Sequence, residues 1–171
     1  MRFQPLVVLS TLVALAGHAA SSPTKRQTIY NYGTIDEPVV GTAIAPGETF
    51  PFEFTSVNLC ESGYNPVSVW LLAEPPSDET FAVSGNYGGF ASGDYLYQFG
   101  DYLIPNFGLP PMNTPVPSSL VMPDLSALGE GVYSNATLYL AVVETYLDCP
   151  PDIPAEYGVT SNAIIYNTSS S

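Results

Sequence analysis

Thr49-Phe50-Pro51-Phe52-Glu53-Phe54-Thr55 sets an aromatic ring at every second position. Side chains of a β-strand alternate between two faces, so this segment reads as a half-buried strand whose rings enter a core. Working outward, Val67 to Ala73 (VSVWLLA) and Ala136 to Leu147 (ATLYLAVVETYL) are apolar at both parities. Such runs suit central strands covered on both faces. Gly158 to Tyr166 reads as the last strand and Val39 to Ile44 as the first, with shorter strands expected over Thr80–Ser84, Asp94–Phe99 and Ser119–Met122. Seventeen prolines and fourteen glycines punctuate these runs and exclude long helices. The fold class is therefore all-β, an antiparallel β-sandwich of about seven or eight strands.

The distribution of charge narrows the function. The three basic residues are Arg2, Lys25 and Arg26, the one histidine is His18, and all sixteen Asp and Glu follow residue 35. A chain beginning at Gln27 has no cationic side chain at all. Binding of nucleic acid or of an anionic membrane depends on Lys and Arg, so neither partner is expected. Histidine triads and histidine metal sites are excluded by the same count.

Residues 1–20 carry the marks of a signal peptide: Arg2, then the apolar run Leu6–Ala16, then small residues that allow cleavage after Ala19 or Ser21. Residues 21–26 read as a propeptide ending in the dibasic pair Lys25-Arg26, and 27–171 as a single domain. From the ending Tyr166-Asn-Thr-Ser-Ser-Ser171, which has no apolar tail, no lipid anchor or transmembrane stop is expected. The expected location is extracellular. Asn135-Ala-Thr137 and Asn167-Thr-Ser169 are acceptor sequons for N-glycans, while Pro115 blocks Asn113-Thr-Pro115.

Cys60 and Cys149 are the two cysteines, and in an oxidising compartment they are expected to form a disulfide. The order Cys60, Trp70, Cys149 follows the arrangement of an immunoglobulin-like sandwich, in which a tryptophan on the third strand lies near an inter-sheet disulfide. Both cysteines fall beyond their strands, however, and no Tyr sits two residues before Cys149. The expectation is thus an immunoglobulin-like architecture, not an antibody domain.

Several motifs together carry a family resemblance. Gly41-Thr-Ala-Ile-Ala-Pro-Gly47, the Phe50-x-Phe52-x-Phe54 strand, Val69-Trp70-Leu71-Leu72, Asn135-Ala-Thr-Leu-Tyr-Leu-Ala-Val-Val143 and Asn162-Ala-Ile-Ile-Tyr-Asn167 resemble a group of small secreted proteins of mushroom-forming fungi. There is a fainter similarity to the immunoglobulin-like modules of fungal wall proteins involved in β-glucan assembly. The resemblance implies origin and fold, and it assigns no functional residue.

Candidate chemistry rests on carboxylates and rings. Glu144 lies in an otherwise apolar strand, where burial would favour its protonated form and let it serve as an acid; alternatively the strand surfaces near Cys149. Gln98 with Glu144 would reproduce the Gln–Glu pair of fungal glutamic peptidases, though that family's surrounding sequence is absent. Asp94 with Asp101, or Asp148 with Asp152, could share calcium, but no spaced acidic loop is present, and neither a metal site nor a cofactor is expected. The stretch Tyr87–Phe107 is dense in aromatics, and Tyr95, Tyr97 and Tyr102 could stack on sugar rings beside Asp and Gln. The competing reading is a hairpin whose alternate rings fill the core.

The sequence thus points to a secreted, non-enzymatic β-sandwich acting at the fungal cell wall, extracellular matrix or host surface, with polysaccharide or an extracellular protein as partner. The alternatives are a small acid-adapted hydrolase, glycosidase or glutamic-peptidase-like, and an effector that binds a host protein.

Overall fold

The structure is a computed structural model that describes residues 28–147, 149 and 155–167; the expected signal peptide and propeptide, with Lys25 and Arg26, and the acids Asp148 and Asp152 lie outside the described residues. Strands dominate. They are β1 (Thr28–Tyr30), β2 (Thr34–Glu37), β3 (Ala43–Ile44), β4 (Thr49–Pro51), β5 (Glu53–Thr55), β6 (Tyr64–Leu72), β7 (Phe81–Ser84), β8 (Tyr87–Phe90), β9 (Tyr97–Pro105), β10 (Ser119–Val121), β11 (Ala136–Tyr146) and β12 (Glu156–Tyr166). The helix α1 (Leu125–Leu128) is a single turn, capped by the Asp124 side chain, which accepts from Ser126 and Ala127 N–H, and closed by Gly129.

Five strands order as β1-β12-β11-β6-β9, and β3 joins β12 as the sixth member of that sheet. β11 pairs antiparallel along its full length with β12, from Ala136 opposite Tyr166 to Tyr146 opposite Glu156, while β1 runs parallel to β12. Three short ribbons complete the strands: β10-β4, β2-β5 and β7-β8. The expected strand over residues 49–55 is present in two pieces, because it changes partner: Phe50 pairs with Leu120 on β10, Phe54 with Ile35 on β2, and Phe52 N–H bonds Ser118 between them. Its faces are as the alternation requires, with Phe50 and Phe52 buried and Pro51, Glu53 and Thr55 exposed.

Both faces of the large sheet are covered, as the doubly apolar runs of β6 and β11 predict. On one face, Val67, Val69, Leu71, Leu138, Leu140, Val142 and Ile164 share a core with Ile35, Phe50, Phe52, Leu120, Met122 and Leu125. On the other, Trp70, Leu72, Ala141, Val143 and Val159 pack under Phe90 of the β7-β8 hairpin. Trp70 therefore lies on the outer face beneath this hairpin, with Tyr95 and Phe90 edge-on at 4.8 and 5.7 Å. Its indole N–H donates to Ser68 Oγ.

The hairpin comes this close because its second strand contains Gly88-Gly89. A Cβ on Gly89 would stand 2.9 Å from the Trp70 ring, and one on Gly88 would stand 2.6 Å from both Phe81 and Tyr157. Gly88→Ala is expected to lose about 1 to 3 kcal/mol through overpacking, read as a lower urea midpoint. An unchanged midpoint would contradict this packing.

Two strand expectations need correction. Val39 and Val40 are exposed and belong to a turn in which Val39 C=O accepts from Thr42, so the first apolar run supplies only the two residues of β3. The expected strand Asp94–Phe99 begins later and extends to Pro105, with a bulge where Gly100 sits at φ 151°. β1, β2 and β8 form where the sequence pattern predicts no strand. Cys60 and Cys149 form the disulfide, joining the segment after β5 to that after β11.

Candidate functional site

Parity along β6 separates two polar regions on opposite faces of the sheet. Asn65 and Val67 point into the core with Glu144, while Pro66, Ser68 and Trp70 point outward. Pro66 and Ser68, with Val67 between them, floor a cleft of about 440 Å³, completed by Asp101, Tyr102 and Leu103 on β9, Thr145 on β11, Ser84, Tyr87 and Gly88 from the hairpin, and Thr114 on a wall. Register explains the grouping: Ser68 faces Asp101 and Pro66 faces Leu103 across the β6-β9 pair.

The cleft's polar groups are partly fixed. Gln98 Nε2 donates to Asp101 Oδ1 at 3.0 Å, and Gly88 N–H donates to Thr145 Oγ1 at 3.4 Å. Ser68 Oγ accepts the Trp70 N–H at 2.7 Å, which leaves its own proton to donate. Tyr87 is 58 % exposed and offers a ring at the rim. The Tyr102 hydroxyl donates to Phe99 C=O, and burial, then the charge of Asp101, holds its pKa above the ordinary tyrosine value. Asp101 is the cleft's one carboxylate.

Glu144 is fully buried on the other face, in the core layer. Its Oε1 accepts from Ser56 Oγ and from Asn65 Nδ2 at 2.7 Å, and its Oε2 accepts from Tyr146 OH at 2.9 Å. Burial, then the neighbouring Glu144 charge, pushes the Tyr146 phenol well above its ordinary pKa. The network continues through Asn58, whose side chain ties to Ser62 N–H and C=O, and ends at the disulfide-bearing segment. Gln98 pairs with Trp70 on the outer face, so it and Glu144 occupy opposite faces of the sheet and do not meet as a dyad.

The three tyrosines expected to form a sugar platform are divided. Tyr95 packs edge-on against Trp70, whereas Tyr97 lies against Phe99 at 5.1 Å and, with Tyr102, against the main core. Each is half-buried; Tyr102 lines the cleft beside Asp101, as does Tyr87 from the same aromatic stretch, whereas Tyr95 and Tyr97 are not part of its lining. Asp94 lies in the turn before β9. Among the described residues, one cluster of three Cys, His or acidic side chains brings its ligand atoms together, Cys60, Cys149 and Glu156, and its two sulfurs form the disulfide. Asn135 is exposed immediately before β11, and Asn167 is half-buried immediately after β12.

Tyr30, on β1, donates to Asp78 at 2.9 Å, and burial, then that bond and charge, push its pKa up to about 12. A raised folded-state pKa contributes stability that is whole below about pH 10 and lost as pH climbs toward about 12. Alkaline titration followed by phenolate absorbance should show Tyr30, Tyr102 and Tyr146 ionising above the ordinary tyrosine range. Denaturation abolishing this late phase would confirm its origin in the fold; a single transition in the native protein would contradict it.

No helix among the described residues is long and apolar enough to cross a membrane. No protein-family model, curated protein or solved structure matches the chain.

Proposed function

We propose that the chain is a secreted, non-enzymatic β-sandwich protein of immunoglobulin-like topology that binds neutral polysaccharide through the outer-face cleft, at a fungal wall, extracellular matrix or host surface. The observation that carries this reading is the lining: hydroxyls of Ser68, Ser84, Thr114 and Thr145, one carboxylate, and the exposed ring of Tyr87. Such a surface exchanges hydrogen bonds with sugar hydroxyls and stacks on an apolar pyranose face. A glycosidase of the usual kind needs a second carboxylate about 5 to 10 Å from the first. Asp101 has no such partner in the cleft lining.

The immunoglobulin-like topology is supported by strand order. The first strand lies parallel beside the last, the β11-β12 hairpin continues into β6 and β9, and residues 49–55 pair in turn with β10 and β2. On this reading the chain originates from a mushroom-forming fungus, as its resemblance to that group's small secreted proteins implies. A second reading, a protein partner on a host surface, draws on Phe107, Leu109 and Met112, which are exposed on the loop leading to Thr114.

The secreted protein should be depleted from solution by at least one of insoluble chitin, β-1,3-glucan, cellulose or mannan at about pH 5, without release of reducing sugar. Tyr87→Ala and Asp101→Asn should each weaken depletion about tenfold, near 1.4 kcal/mol. Reducing-sugar release would instead favour the hydrolase reading. Absence of depletion by all four polymers would leave the protein partner.

A further inference from the structure

Ala136 and Tyr166 face each other at the end of the β11-β12 pair. The residue before the first is Asn135 and the residue after the second is Asn167, so two sequons a long way apart in sequence become neighbours across one strand pair. Thr145, in the cleft, lies ten positions further along β11, or about 34 Å at strand rise. The sequons and the cleft therefore occupy opposite ends of the sheet.

Segments attached to this half of the β11-β12 pair carry exposed apolar side chains. Val39 and Val40 are 56 % and 67 % exposed in a turn tied to β12 by Gly41 N–H to Ala163 and by Ile165 N–H to Thr42. Val132 is 90 % exposed three residues before Asn135. Leu128 is 52 % exposed on α1, which docks through Leu125 N–H to Tyr166 OH. Exposed apolar groups of this kind on a secreted protein promote self-association unless something covers them. Asn135 itself is exposed with φ 50°, a conformation Asn tolerates better than most residues, at a position where a large substituent displaces no core residue.

From this arrangement we infer that Asn135 and Asn167 carry adjacent N-linked glycans that cover the apolar surface of Val39, Val40, Leu128 and Val132, leaving the cleft end bare for its ligand. The occupant of this apolar surface is the chain's own oligosaccharide, attached on the secretory route before folding is complete. The claim about the bare end rests on the cleft being the ligand site; the claim about the glycosylated end does not.

Peptide mapping of the secreted protein by mass spectrometry should find sugar on both Asn135 and Asn167. Removal of the glycans from the folded protein with a peptide amidase, and separately the Asn135→Gln, Asn167→Gln variant, should raise hydrophobic-dye fluorescence several-fold and produce self-association on gel filtration, with polysaccharide depletion of the remaining monomer unchanged. A sequon installed at the cleft rim by Ser84→Asn with Asn86→Thr should abolish depletion once glycosylated. Sugar-free Asn135 or Asn167, or glycan removal without change in dye binding and association, would overturn the proposal. Should no form be depleted by any polymer, the cleft reading fails, while mapping, dye binding and association still decide the glycosylated end.

Discussion

Glu144→Ala is expected to lower unfolding free energy by about 3 to 5 kcal/mol. The substitution strips one acceptor group from three donors at once, Ser56 Oγ, Asn65 Nδ2 and Tyr146 OH, two of them on fully buried residues. Each buried donor left without a partner costs about 1 to 3 kcal/mol, and the lost volume adds a cavity. Glu144→Gln keeps one acceptor oxygen and the volume, so its loss should be smaller. Urea denaturation of both variants measures this directly. A loss under about 1 kcal/mol for the alanine variant would contradict a sealed position for Glu144. Because the side chain sits behind the sheet from the cleft, polysaccharide depletion by the folded variant should match that of the parent.

Replacing both Cys60 and Cys149 by Ala should have an effect of similar size. The bridge spans 89 residues, and closing a loop of that length is worth about 4 to 5 kcal/mol in the chain-entropy account. For a domain of this size that corresponds to a fall in Tm of roughly 10 to 20 °C. The bridge also holds the segment after β5, where Asn58 and Ser62 meet the Glu144 network through Ser56. The two perturbations therefore share a structural unit, and their combined loss should depart from the sum of the separate losses. A Tm change of under about 3 °C would show that the reduced chain keeps those segments together without the bond.

The pattern of alternation made the core strands legible because burial leaves a periodic trace. Phe50 and Phe52, the doubly apolar β6 and β11, and the last strand all stand where their hydrophobic periods place them. Val39-Val40 misled for a physical reason: β-branched residues favour strands, but the flanking Pro38 and Gly41 and the Thr42 bonds to Val39 C=O fix a turn there. β8 was hidden because Gly88 and Gly89 carry no side chain to show a period, though their smallness is what admits the hairpin onto Trp70. Trp70 itself could be read as buried, but not which face it takes.

The site was less legible than the fold. Burial of Glu144 is foreshadowed by its apolar strand, yet its partners Ser56 and Asn65 arrive from segments far away in sequence, and no local pattern announces them. The cleft is likewise assembled from β6, β7, β8, β9 and β11, each contributing one to three residues of ordinary type. Tyr87 and Tyr102 line the cleft, whereas Tyr95 and Tyr97, from the same aromatic stretch, do not and pack against the two cores. What separates them is the sheet face and the bulge at Gly100, which are properties of pairing rather than of sequence spacing.

The central claim, that the outer-face cleft binds a neutral saccharide without cleaving it, is tested most directly by titrating the isotopically labelled protein with soluble oligosaccharides of whichever polymer depletes it, following each backbone amide by nuclear magnetic resonance. The account predicts shifts confined to the cleft lining, Val67, Ser68, Ser84, Tyr87, Gly88, Asp101, Tyr102, Leu103, Thr114 and Thr145, with the oligosaccharide recovered intact. Shifts centred elsewhere, or an oligosaccharide shortened during the titration, would contradict it.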